Sequence, residues 1–102
     1  MDFTHVSDVV RANIAAMESE AVNHVFNVGT GRSTSVAQLA EIIIKALNKD
    51  ANPIFREREV FVSRRQADTQ KAEQFLGFTA KVKVEDGIAE VAREIAAHPE
   101  KY

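Results

Sequence analysis

At 102 residues the chain has room for one domain, and folding at this length buries roughly two-thirds of the surface that the unfolded chain exposes. Its 45% hydrophobic and 27% charged residues argue against global disorder and collagen-like repeats, and the absence of cysteine removes disulfide scaffolds and thiolate metal sites. With 13 basic against 15 acidic side chains the formal charge is -2, so no net field draws the chain to nucleic acid or to an anionic membrane, and any anion site must be local.

The longest purely apolar run is Ile42 to Ile44, far short of the roughly 20 residues of a membrane span, and Asp2 stands where a signal peptide would carry basic residues. A soluble, cytoplasmic protein is expected. In chain order, Phe3 to Val6 alternates apolar and polar residues and fits a short strand. Val9, Val10, Ala12, Ile14 and Met17 then recur at helical spacing, which predicts a first helix from Ser7 to about Ser19, capped by Ser7 or Asp8. His24 to Val28 reads as a second strand, ending in the tight turn Gly29-Thr30-Gly31.

Ser35, with Gln38 three residues on, forms a capping box, and Val36, Leu39, Ala40, Ile43 and Leu47 carry a second helix to about Asn48. Lys49 to Pro53 is a connection, and a short strand near Val60 to Val62 is expected in the irregular stretch after it. Asp68 predicts the N-cap of a short third helix, Thr69 to Leu76, with Gly77 as its left-handed C-cap. After an extended piece from Phe78 to Val82, the repeat of Ile88, Val91, Ala92 and Ile95 predicts a fourth helix from Val84 to about Ala97, stopped by Pro99.

The order of the segments is informative beyond the elements themselves. "DFTHVSDVVRANIAAM", "VFNVGTGRSTSVAQLAEII", "FREREVFVSRR", "ADTQKAEQFLGF" and "VKVEDGIAEV" together resemble the C-terminal, nucleotide-sugar-binding part of NAD-dependent epimerases and dehydratases of the extended short-chain dehydrogenase type, UDP-glucose 4-epimerase among them. The likeness spans nearly the whole chain. It implies a mixed α/β lobe of about four helices and two or three short strands, residues 1–102 forming one nucleotide-sugar-binding domain. It also implies a partner in the Rossmann half of the same enzyme, which in that family carries a glycine-rich dinucleotide turn and a tyrosine four residues before a catalytic lysine. Neither motif is present in these residues, and the one tyrosine is Tyr102. The expectation is therefore a fragment of a larger enzyme, a truncated reading frame rather than a natural second subunit, that turns nothing over alone. NAD belongs to the complete enzyme and is not expected to bind this chain. The rival reading is a non-enzymatic accessory subunit that binds nucleotide sugars or completes a separate Rossmann chain.

In the resembling enzymes an "RxGD/E" element follows the second helix, its arginine pairing with a nucleotide phosphate and its carboxylate accepting from ribose or base. Arg56 and Glu59 match it, with Arg58 in place of the glycine. A guanidinium offers a planar, two-pronged phosphate clamp, and a carboxylate reads vicinal hydroxyls. A solvated loop of alternating charge is the plainer alternative. Arg65, beside Arg64, is a second candidate phosphate contact. Gly29-Thr30-Gly31 has the outline of an anion nest but lacks the third glycine of a dinucleotide turn, and it reads as a structural turn. His5, His24 and His98 are too scattered for a metal site, Asp8 and Asp68 read as helix caps, and no general acid or base stands out. If the first helix and the strand before it normally pack on another body, their apolar residues are left exposed, which predicts a homo-oligomer or strand-swapped dimer of the chain alone.

Overall fold

A computed structural model describes residues 1–57 and 64–102. Among the described residues there are four α-helices, α1 (Val6–Glu18), α2 (Val36–Ala46), α3 (Gln70–Leu76) and α4 (Val84–Ala97), and a 3₁₀ turn at Pro99–Lys101. α1 packs on α3, and α2 packs on α4. The core is small. Ala12 of α1, Ala72 of α3 and Phe78 are buried together, with Phe26, Val28 and Leu76 partly buried around them.

Each helix end has a local cause. The ring Nδ1 of His5, rather than Ser7 or Asp8, caps α1 by accepting from the Ser7 N–H at 3.3 Å. Ser35 and Gln38 close both halves of the expected capping box on α2, with Gln38 N–H to Ser35 Oγ at 3.1 Å and Ser35 N–H to Gln38 Oε1 at 2.9 Å. Asp68 does not cap α3 from the N-cap position, which belongs to Thr69; its Oδ1 instead accepts from the Gln70 N–H at 3.1 Å. Gly77 ends α3 with φ of 61°, the left-handed conformation that glycine adopts without a steric penalty. Glu85 and Asp86 place negative charge on the first turn of α4, where the helix dipole favours it.

The expected mixed α/β class is corrected: among the described residues there is no strand and no sheet. The strands expected at Phe3–Val6 and His24–Val28 run without a ladder, as does the extended piece Phe78–Val82, while the strand expected near Val60–Val62 lies outside the described residues. The physical reason is that none of these stretches has a strand beside it among the described residues. A ladder needs a neighbouring strand, whereas here the Lys81 and Val82 N–H groups bond the Asp8 carboxylate, and those of Thr30 and Gly31 bond Asp2. Met1 and Thr34 do exchange backbone bonds, both at 2.8 Å, but one such pair does not make a sheet.

α1 shows its sequence pattern inverted. Asp8 and Ala12 point inward, whereas Val6, Val10, Ile14 and Met17, spaced along one face, are exposed. Exposure of this face agrees with the expectation drawn for the first helix. The chain as a whole exposes 8321 Å², against about 5,700 Å² for a compact monomer of its mass. Its radius of gyration, 16.4 Å, likewise exceeds the roughly 13 Å of a compact domain of this length.

Candidate functional site

Two carboxylates organise the loops between the helices, and neither was singled out as functional from the sequence. Asp8 has no exposed surface. Its oxygens accept from the Lys81 N–H at 3.1 and 3.2 Å, from the Val82 N–H at 3.0 Å and from the Arg11 guanidinium one helical turn away. Arg11 also donates to the Thr79 carbonyl at 3.0 Å and lies over the Phe78 ring, 5.2 Å from its centre. Burial works to raise the Asp8 pKa, but the Arg11 bond, the two backbone N–H groups and the Arg11 charge together hold it below the ordinary carboxylate value. Reading Asp8 as a helix cap is thereby corrected: it ties α1 to the segment that leads into α4.

Asp2 answers the question posed by Gly29-Thr30-Gly31. The turn does gather backbone donors around an anion, and the anion is the chain's own. Asp2 Oδ1 accepts from the Thr30 N–H at 3.0 Å and from the Thr30 hydroxyl, and Oδ2 accepts from the Gly31 N–H at 2.9 Å and from the Ala67 N–H at 3.3 Å. Desolvation opposes this charge, and the hydrogen bonds from Thr30, Ala67 and Gly31 outweigh it, so the Asp2 pKa also lies below the ordinary value. A side chain at position 29 has no room, since a Cβ there would stand 2.7 Å from the Ala67 Cβ and 2.8 Å from Asp2 Oδ2. Gly31 takes φ of 69°. The nest is thus a structural turn, filled from within, and offers no vacancy to a phosphate.

Of the predicted ligand contacts, Arg65 stands beside this turn. Arg65 is exposed and lines a shallow recess with Met1, Asp2, Thr4, Val28 and Ala67. Next to it, Gln66 Nε2 donates to the Gly31 carbonyl at 2.6 Å, a second tie between the 65–67 segment and the turn. Arg56 is exposed. Glu59 lies outside the described residues, so the pairing expected between Arg56 and Glu59 is not described. His5 Nε2 stands 3.7 Å from Glu90 Oε2, and no group of His, Asp and Glu side chains is arranged to hold a metal among the described residues. Among the same residues, no helix is long and apolar enough to cross a membrane.

No family model matches the chain. Its homologues and structural neighbours are UDP-glucose 4-epimerase and related NAD-dependent epimerases and dehydratases of nucleotide sugars. A putative UDP-glucose 4-epimerase of Methanocaldococcus jannaschii is 36% identical over 91 residues, which is 88% of this chain and 29% of that protein. The UDP-glucose 4-epimerase of Thermotoga maritima, solved with UDP-glucose, is 36% identical and superposes with a TM-score of 0.86 over 96% of this chain and 32% of its own. That of Bifidobacterium longum, solved with NAD+ and UDP, is 25% identical with a TM-score of 0.86 over 99% of this chain and 31% of its own. Relatives named for reductase and decarboxylase activities match as well. The chain spans about a third or less of the length of the relatives it matches.

Proposed function

We propose that residues 1–102 form the nucleotide-sugar-binding domain of an NAD-dependent epimerase or dehydratase, a domain that binds substrate and turns nothing over by itself. The likeness to an epimerase solved with UDP-glucose, over 96% of this chain, carries the reading. Because Asp2 fills the glycine turn, the phosphates would be met by exposed guanidinium groups: Arg56, with Glu59 reading the ribose or base, and Arg65 at its recess. Binding the nucleotide end of the substrate would set the sugar carbon in place for hydride transfer, the chemistry that NAD supplies when bound to the other part of such an enzyme.

The partner would be a Rossmann half. The surface in excess of a compact monomer and the exposed face of Val6, Val10, Ile14 and Met17 both suit a domain that rests on a larger body. Left alone, the same face favours self-association, which size-exclusion chromatography with light scattering measures. The cysteine-free sequence suits the cytoplasm.

Calorimetric titration with UDP and UDP-glucose tests the binding role. Heat from both ligands, reduced about tenfold in affinity by Arg56→Ala or Arg65→Ala and absent with NAD, is the expected result. Unchanged affinity in both variants, or epimerisation by these 102 residues alone, would overturn it.

A further inference from the structure

The Asp2 carboxylate joins two segments far apart in the sequence: the turn at Thr30 and Gly31, and the chain at Ala67, two residues after Arg65. Gln66 adds its own bond from that segment to the Gly31 carbonyl. Neighbouring side chains leave no slack in this arrangement, because Gly29 is in contact with both the Ala67 methyl and the Asp2 carboxylate at distances that exclude even a Cβ. The backbone at 66 and 67 is therefore fixed against the turn by a charge, and the residue immediately before it is the arginine that lines the recess.

We propose that Asp2 is a positioning residue, whose carboxylate, held by the Thr30, Gly31 and Ala67 donors, sets where Arg65 stands for a nucleotide phosphate. The proposal rests on the substrate-binding reading of Arg65. It requires that the carboxylate act through geometry and not through contact with the ligand. A bare negative charge facing a phosphate would repel it; Asp2 lines the recess beside Arg65, but each of its oxygens is engaged by two donors, while Arg65 is exposed. Loss of the carboxylate leaves the 65–67 segment tied to the turn only through the flexible Gln66 side chain, so Arg65 must then be ordered in part by the ligand itself, at a cost in affinity.

The removed group of Asp2→Ala is a carboxylate, so formate is the probe that restores it. Amide resonances of Thr30, Gly31, Arg65, Gln66 and Ala67 are followed by NMR in wild type, in Asp2→Ala, and in Asp2→Ala with formate or with chloride at equal ionic strength; UDP affinity is measured on the same samples. Asp2→Asn, which keeps shape but presents NH₂ to one pair of donors, serves where the alanine variant fails to fold. The expected result is a shift of all five amides, faster exchange at Thr30, Gly31 and Ala67, and UDP binding weakened about tenfold. Formate, but not chloride, restores both readouts, and the amides of α2 and α4 stay unmoved throughout, whereas a loss of the fold as a whole would move them too. Movement confined to Thr30 and Gly31, with Arg65 unmoved and UDP affinity kept, overturns the proposal. If the wild-type chain does not bind UDP, the substrate-binding reading fails by itself. The coupling of Asp2 to the 65–67 segment is then still decided by the Gln66 and Ala67 amides and their response to formate.

Discussion

Asp8 and Asp2 use the same chemistry for different ends. Both are carboxylates that collect backbone N–H groups from a distant part of the chain, and both titrate below the ordinary range. Asp8 has a cation of its own in Arg11, is sealed from solvent, and ties a helix to the segment leading into another. Asp2 has no cation among its hydrogen-bond partners, retains some exposure, and ties a turn to a loop that carries a candidate ligand arginine. The difference teaches that a charge bonded mainly to backbone can either lock a fold or shape a recess, depending on what the bonded segments carry.

Removing each carboxylate breaks this comparison most directly. Asp8→Ala leaves the Lys81 and Val82 N–H groups without their acceptor around a buried site and strips Arg11 of its counter-charge, and a loss of about 3 kcal/mol is expected in urea unfolding. Acid sharpens the same contrast. Because both pKa values are lower in the folded chain than the ordinary 3.8, the stability these groups contribute is complete above that pH and is lost as pH falls through their folded values. A melting temperature that declines below pH 3.8 in wild type and flattens in the double variant Asp2→Asn, Asp8→Asn is the expected outcome. Gly29→Ala presses on the Asp2 side alone, and about 2 kcal/mol of destabilisation is expected from the forced shift of Ala67 and Asp2, with α1 unaffected in amide exchange. The smallest effect belongs to a position in neither clasp: Gly77→Ala should cost about 1 kcal/mol, purely from the left-handed backbone, since nothing lies within 4 Å of the added methyl.

Helices could be read from the sequence because their causes are local. The Ser35 and Gln38 box, Gly77 and Pro99 each act within a few residues, and α2, α3 and α4 stand within one or two residues of their predicted bounds. The strands were misread because alternation reports only that one face is favoured for burial; it cannot report whether a neighbouring strand is there to pair with. Asp8 illustrates the gap most fully. Its position near the start of a helix suggested a cap, and nothing within reach of position 8 in the sequence points to Lys81 and Val82. Gly29-Thr30-Gly31 was legible as a turn, whereas its anion was not, because Asp2 lies 28 residues before Thr30. Arg65 was legible as a candidate by its chemistry, and its neighbourhood, set by Asp2 and Gln66, was not.

The bond from Lys81 to Asp8 spans 73 residues, and this has a bearing on the order of events at the ribosome. Chains grow at about 5–20 residues per second, so Asp8 emerges several seconds before the N–H groups that will neutralise its isolation are made. During that interval α1 holds a carboxylate on one side and Val6, Val10, Ile14 and Met17 on the other, with neither side covered. The Asp8 clasp thus closes only once Val82 has been made, while the face of Val6, Val10, Ile14 and Met17 stays open in the folded chain as well.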